Sequence, residues 1–476
     1  MLSAFARGLG RKLTVRGVAA SGGFPNVKLL SQSVTLRLDA DSSRNQRLAQ
    51  GKPSVARDTR VRMVLKGGAD VVGKAVTLVI TVAAARILNA DAFGVMALAM
   101  ATGWLLGVAT DAGLSMHLAR ETARRRNDRQ LLIEVLRLRA GLAYVAATMI
   151  AFFTPSIVPP NWKMQFVLIV FAQLTGAISE TIAHYFRGIE RSEIESAVHA
   201  AHRFTTLVLA LVVLFWWPRL DFLGAAMLIP AFVAMLVSFA IAWHISGSRE
   251  PRAGSRQSLL TPSTFARDVL PLGAAVLLSA LYFRIDVFFI ERWQGLEAVG
   301  GYNAVFRLVE ALRLLPAAVM AVTFPMLVQA TDTRLVQRIG GALAIAGVVL
   351  AVIGALGASV IVPLVYGRTY LYAAPTFAIL SLALPLFFLN YALTHQVIGW
   401  DGQRAYLLIA TLALIANVAA NFALVPVEGM IGAAIATLLT EVVVTGGCLW
   451  FLALHVEPSD RTPGRTIVPN LGVERR

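Results

Sequence analysis

The sequence predicts an all-α, polytopic membrane protein of about twelve spanning helices, and three observations carry that prediction. Of its 476 residues, 57% are hydrophobic and only 15% charged, whereas a soluble domain carries about 25% charged residues. The excess is concentrated: from about residue 68 to 454, apolar runs of roughly 20 residues follow one another, each long enough to cross about 30 Å of hydrocarbon as a helix. No ten-residue segments of alternating polarity, the pattern of a membrane barrel, interrupt them. Backbone polar groups in lipid must be satisfied within their own segment, and that selects helices.

The spans are read as 68–88, 92–113, 132–153, 164–186, 197–217, 221–244, 266–290, 299–326, 339–365, 372–398, 404–425 and 429–453. Their connections alternate in charge. One set, with the C-terminal tail, holds nineteen basic residues, among them Arg120, Arg124, Arg125, Arg126, Arg129, Arg187, Arg191, Arg203, Arg249, Arg252 and Arg256. The other holds five: Arg86, Lys163, Arg219, Arg292 and Arg368. The positive-inside rule places the first set, and with it both termini, in the cytoplasm, which requires an even number of spans. The formal charge of +16 thus reflects topology before it reflects a nucleic-acid partner. The opposite loops are short, which leaves no external domain for catalysis.

Residues 1–65 are expected to be a basic cytoplasmic tail without regular structure. Its first 62 residues hold twelve Lys and Arg against Asp39, Asp41 and Asp58, and lack the apolar core of a secretory signal. An upstream mis-assigned start, with Met63 as the true one, is the other reading. The expected organisation continues with a six-helix lobe over 66–245, a polar linker over 246–264, a second six-helix lobe over 265–454 and a cytoplasmic tail over 455–476. The lobes look duplicated. Asp91-Ala92-Phe93-Gly94 matches Glu297-Ala298-Val299-Gly300, and Phe171-Ala172 matches Phe377-Ala378, both at an offset of 206. Gly224-Ala225-Ala226 matches Gly432-Ala433-Ala434 at 208. Repeated halves with a site between them are a common transporter plan.

Several chemistries are excluded. The one cysteine, Cys448, permits neither an internal disulfide nor a cysteine metal site. Gly68-Ala69-Asp70-Val71-Val72-Gly73-Lys74-Ala75 nearly spells a phosphate-binding loop, but Ala75 stands where the magnesium-binding hydroxyl belongs and no strand precedes it. No cofactor, metal site or catalytic residue is expected. His184 and His395 fit either helix-end packing or a proton relay.

Ionisable residues inside spans are the informative class, because each costs about 2.5–3.5 kcal/mol at a helix centre. Arg284 and Asp286 lie in Tyr282-Phe283-Arg284-Ile285-Asp286-Val287, and Arg307, Glu310 and Arg313 follow at three-residue spacing. These five fit a buried ion-pair network or a cationic cavity for an anionic headgroup, and the two are compatible. Arg284, Arg307, Arg313 and Lys74 are the candidate substrate cations; Asp286, Glu310 and Asp111 are the candidate coupling or pairing acids. Prolines Pro230, Pro271, Pro316, Pro325 and Pro385 interrupt spans six, seven, eight and ten; they are tolerated at depth where helices kink or line a cavity, and kinked packing alone also explains them.

These residues resemble a family. Ala85-Arg86-Ile87-Leu88, Asp91-Ala92-Phe93-Gly94 and Asp111-Ala112-Gly113-Leu114 look like the opening helices of bacterial polysaccharide-transporter (Wzx-like) flippases, of the superfamily that includes the multidrug (MATE) exporters and the lipid II flippase. Phe283-Arg284-Ile285-Asp286, Ala298-Val299-Gly300-Gly301-Tyr302-Asn303-Ala304, Tyr366-Gly367-Arg368 with Ala374-Pro375, and Gly432-Ala433-Ala434-Ile435-Ala436-Thr437 before Glu441 extend the likeness over about residues 65–453. The resemblance implies a flippase of the bacterial inner membrane, moving an undecaprenyl-diphosphate-linked oligosaccharide for exopolysaccharide or lipopolysaccharide biosynthesis. Its partners would be that lipid-linked oligosaccharide, membrane lipids and polysaccharide-assembly proteins, with no nucleic acid. A multidrug or small-molecule exporter with an acid-lined cavity is the alternative. A membrane glycosyltransferase or polymerase is the alternative of another class, disfavoured by the short outer loops.

Overall fold

The computed structural model describes residues 73, 75–125, 129–246, 269–329, 334–400 and 402–455. All regular structure among them is helical: α1 Ala75–Ile87, then α2 Ala90–Asp111, α3 Leu114–Arg125, α4 Arg129–Ile157, α5 Lys163–Gly188, α6 Ser192–Trp216, α7 Leu220–Ser246, α8 Leu270–Arg284, α9 Asp286–Leu312, α10 Leu314–Gln329, α11 Arg334–Tyr366, α12 Ala374–Leu382, α13 Leu384–Gly399, α14 Gln403–Glu428 and α15 Met430–His455. Nine helical stretches among the described residues are long and apolar enough to cross a membrane, or ten if a bent pair counts as one span. That number takes Gly273–Thr323 as one stretch of 51 residues. Straight, it would measure about 76 Å, but Gly295 (φ 80°, ψ −175°) breaks it, where the sequence left a connection between 290 and 299.

Local chemistry sets the boundaries. The Asn89 side chain caps α2 by accepting from the Ala92 amide at 2.8 Å, with Asp91 in the first turn, where a negative charge meets the positive end of the helix dipole. Ala112 (φ 44°) and Gly113 (φ 88°) end it in left-handed backbone. The arginine-rich connection beyond is a packed helix, α3, and not a loop: Leu114 and Leu118 are buried with Leu131, Leu132 and Val135 of α4 and with Ile182, Tyr185 and Phe186 of α5. Pro385 lacks the amide that would continue α12 into α13, and the two are bent by 41°. The eighth expected span, 299–326, is likewise interrupted between α9 and α10, three residues before Pro316. Pro271, by contrast, sits in the first turn of α8, where its missing N–H costs nothing, and Pro230 is accommodated inside α7.

Close packing relies on glycine. α2 lies against α5 and α9, α5 against α7, α11 against α13, and α14 against α15. Phe93, Phe166, Tyr302, Phe306, Phe387 and Phe388 fill the largest buried cluster. At the start of α2, a Cβ on Gly94 would stand 1.9 Å from the Leu296 carbonyl oxygen. At its far end, a Cβ on Gly273 would stand 2.1 Å from the Ala112 carbonyl oxygen. Lipids offer helices no hydrophobic drive to associate, so such backbone approaches supply the contact.

Gly94→Ala must push α2 off Leu296, and overpacking of this kind costs about 1–3 kcal/mol. Its melting temperature in detergent should fall clearly below that of Gly141→Ala, a helical site where a Cβ meets nothing within 4 Å. Equal melting temperatures would contradict the close approach.

Candidate functional site

The described helices line a partly open cavity of about 600 Å³. Its walls come from α1 (Val76, Thr77, Ile80), α2 (Met100, Trp104, Gly107), α5 (Gln173, Gly176, Ala177), α6 and α7 (Met227, Ala231); beyond the first seven helices it takes only Gly273 and Val276 of α8. Polar groups gather at two places in this otherwise apolar space.

The deeper one is built on Arg139 of α4, 2% exposed. Its Nη2 donates to the Gly107 carbonyl of α2 at 2.8 Å and, at 3.4 Å, to the Ala177 carbonyl of α5. Its Nη1 stands 3.1 Å from Asp111. Asp111 in turn accepts from the Ser115 hydroxyl and, at 3.3 Å, from the Ser115 amide. The Ser115 hydroxyl reaches Thr181 at 3.1 Å, so one arginine ties together α2, α3, α4 and α5. Arg139 Nε is buried without a hydrogen-bond partner.

The second group lies where α5 meets α6. Glu180 receives Arg187 Nη2 at 2.9 Å and stands 3.4 Å from His199 Nε2. Arg187 also grips Glu195 through Nε at 2.7 and 2.8 Å. His202 and Arg203 complete this part of the lining. The Arg203 guanidinium lies so close to Gly73 that a Cβ there would come within 2.4 Å of it.

The sequence candidates divide. Asp111 lines the cavity. Lys74 lies outside the described residues. Arg284, Arg307, Glu310 and Arg313 converge elsewhere, on the α8–α9–α10 junctions. There Glu310 Oε2 accepts from Arg284 Nη2 at 3.0 Å and from Arg307 Nη1 at 2.7 Å. Arg284 is 5% exposed, with its guanidinium 4.6 Å from the Phe306 ring. Arg313 is held between Phe283 at 4.5 Å and Phe387 at 4.6 Å, with Nη1 buried and unbonded. Asp286 does not join them: it accepts from the Tyr302 hydroxyl and, at 2.9 Å, from the Val287 amide. One aromatic layer separates this cluster from the cavity, because Phe283 meets the cavity-lining Trp104 edge-on at 6.4 Å.

Sequence reasoning counts Arg139, like Arg137, among the ionisable residues inside spans and Arg203 among the basic residues of the connections, but names neither as a site candidate, and it missed His199 and His202. The spacing of His199, His202 and Arg203, at i, i+3 and i+4, was the available signal, since residues three and four apart share a helix face. Of the two histidines that were singled out, His184 lines the cavity and His395 stacks on Tyr391 at 4.9 Å. Among the described residues no group of three His, Cys, Asp or Glu side chains could hold a metal ion.

The chain matches the model of the "Polysaccharide biosynthesis protein" family over residues 66–331. A comparison with curated protein sequences finds no match. Among solved structures, it is similar to an inward-facing multidrug resistance MATE transporter of the MOP superfamily, with a TM-score of 0.61 and 14% identity over 81% of this chain and 96% of the other. It is also similar to the lipid II flippase MurJ in an inward closed conformation, with a TM-score of 0.60 and 12% identity over 82% and 87%. A third, a MOP superfamily transporter from Pyrococcus furiosus, aligns with a TM-score of 0.51 and 14% identity over 83% and 95%. At these identities the likeness is one of fold. The family match covers more than half of the sequence, and the chain therefore belongs to the polysaccharide biosynthesis protein family.

Proposed function

We propose that this protein is a flippase that carries the diphosphate head of an undecaprenyl-linked oligosaccharide across a bacterial inner membrane by alternating access. The observation that carries the reading is Arg139: a guanidinium lining a membrane-embedded cavity, with a buried nitrogen left unbonded. A diphosphate diester bears about two negative charges, and arginine replaces its water better than any other side chain. The acids in the same walls do not favour a cationic drug, because Asp111 is paired with Arg139 and Glu180 with Arg187.

Twelve spans accommodate the described helices if α1 begins one and Gly295 divides two. Gln294 accepts from the Met430 amide at 3.1 Å, and Tyr372 donates to the Glu297 carbonyl at 3.2 Å. Both flanks of Gly295 thus meet residues at the expected outer ends of spans twelve and ten. With the arginine-rich loops in the cytoplasm, the α5–α6 end of the cavity faces inward. The head enters there and meets Arg139. Separation of Trp104 from Phe283 then opens the way to Arg284, Arg307 and Arg313, with the polyprenyl tail remaining in lipid. An inside-negative potential favours outward movement by about 2.3 kcal/mol per charge per 100 mV.

In cells whose surface polysaccharide depends on this protein, Arg139→Ala, Arg284→Ala and Arg307→Ala should each abolish the polymer while the protein stays in the membrane and lipid-linked precursor accumulates inside. Loss of the protein itself would show that the arginines serve packing alone. Glu310→Ala should destabilise more than Arg307→Ala in detergent melting, since it strands two arginines instead of freeing one carboxylate, and breaking a buried pair costs about 3–5 kcal/mol. For orientation, a cysteine placed at Lys163 should react with an impermeant thiol reagent from outside, and one at Arg191 only after permeabilisation. The reverse pattern would overturn the topology.

A further inference from the structure

His199, His202 and Arg203 follow one another at i, i+3 and i+4 on α6, and all three line the cavity. They begin seven residues after Ser192, about 10 Å along the helix from its start, at the end of the cavity where cargo is proposed to enter. The charged groups around them are Glu180, His184 and Arg187 of α5, Glu195 of α6, and, deeper, Asp111 and Arg139. Among the described residues, Gly73 and the facing parts of α1, α7 and α8 (Val76, Thr77, Met227, Ala231, Gly273 and Val276) contribute no charged group.

Three of these groups are already committed. Arg187 Nη1 lies 2.9 Å from His184 Nε2, and His184 Nδ1 lies 2.9 Å from the Glu180 carbonyl. An arginine can only donate, so His184 Nε2 must accept, and its ring is the neutral tautomer with the proton on Nδ1. Glu195 is occupied by Arg187. His199 has only the 3.4 Å approach to Glu180, and no carboxylate pairs with His202 or Arg203 among the described residues.

We propose that His199, His202 and Arg203 form a proton-linked subsite for a diphosphate group at the mouth of the cavity. The proposal rests on the flippase reading and deepens it by making the proton a co-ligand of the anionic head. Arg203 supplies a fixed charge. Each imidazole becomes a double donor only on taking a proton, and an adjacent phosphate favours that form. By linkage, protons then favour the phosphate to the same extent. Glu180 competes with the cargo for His199, so arrival of the head releases His199 from Glu180 while Arg187 keeps the carboxylate neutralised.

The test is calorimetric titration of the purified full chain in detergent with farnesyl diphosphate and, separately, with inorganic pyrophosphate. Each is run at about pH 6 and pH 8, on either side of the usual histidine range, in two buffers of different ionisation enthalpy. The wild type should take up protons on binding and bind at least about fivefold tighter at the lower pH. The double variant His199→Gln/His202→Gln, with an unchanged melting temperature, should lose most of the uptake relative to wild type in the same buffers, which cancels the titration of the probe itself. Arg203→Ala should weaken binding at both pH values and leave the uptake in place. Proton-linked binding of farnesyl diphosphate supports a lipid head as the ligand, and of pyrophosphate alone a soluble diphosphate; either supports the subsite. Equal proton uptake by wild type and double variant overturns the subsite while the flippase reading stands. No binding by the wild type at either pH overturns both.

Discussion

Hydrocarbon offers a guanidinium nothing to bond, and that constraint organises the interior of this protein. An unpaired charge at such depth is costly, and the buried arginines Arg139 and Arg284 each draw partners from other helices. Arg139 of α4 is held by carbonyls of α2 and α5 and by Asp111. Arg284 of α8 is held by Glu310 of α9. Arg86 of α1 donates through Nε to the Val365 carbonyl at the end of α11 at 2.7 Å, where the last turn of a helix leaves carbonyls unsatisfied. Because these partners lie on different helices, each of these three arginines is also a fastening between them.

The same constraint leaves a surplus that function can use. Around Glu310 three arginines gather; Glu310 bonds Arg284 and Arg307, whereas Arg313 lies between Phe283 and Phe387 and feels Glu310 and Glu441 only through space. An aromatic face lowers the energy of a cation without cancelling its charge. Arg313 therefore remains available to an anion in a way that a salt-bridged arginine is not, and the buried unbonded nitrogens on Arg307 and Arg313 mark the same surplus. A solid ion-pair lock would have matched acids to bases. The aromatic caps keep the positive charge in place at low cost, one ring removed from the cavity wall.

What the sequence revealed and what it hid follow from the range of each signal. The length of an apolar run is local, and span edges came out close: 92–113 against Ala90–Asp111, and 404–425 against Gln403–Glu428. The break near Pro316 and the bend at Pro385 were legible for the same reason. The direction in which a side chain points is not local. Arg284, Arg307 and Glu310 were read as one network with Asp286, yet Asp286 turns to Tyr302, a partner that only the packing of α9 on itself and α15 decides. Arg137 and Arg139 were alike in sequence. A two-residue difference rotates them by about 200° around the helix, and only Arg139 reaches the cavity. The cavity itself is a tertiary object, and no run of residues announces it.

The glycine contacts at the two ends of α2 tie the proposed six-plus-six organisation to its motion. Gly94 and Gly300 are the equivalent residues of the two matching segments, and a Cβ on Gly300 would lie 3.3 Å from the Gly94 amide nitrogen. Two copies meeting at their own corresponding residue is what halves related by a two-fold axis do close to that axis. Nineteen residues further along, about 28 Å up the helix, Gly113 meets Gly273, whose added Cβ would stand 2.8 Å from the Gly113 nitrogen. That spacing is close to the thickness of the hydrocarbon layer. Neither approach is held by an ion pair, so each depends on dispersion between backbones, which falls steeply with distance and is lost as soon as the helices part. Under the proposed alternating access, rocking the two proposed halves would open one end of α2 and leave the other shut. A contact that is close, directionless and free of charged ties can break and reform without stranding a polar group in lipid.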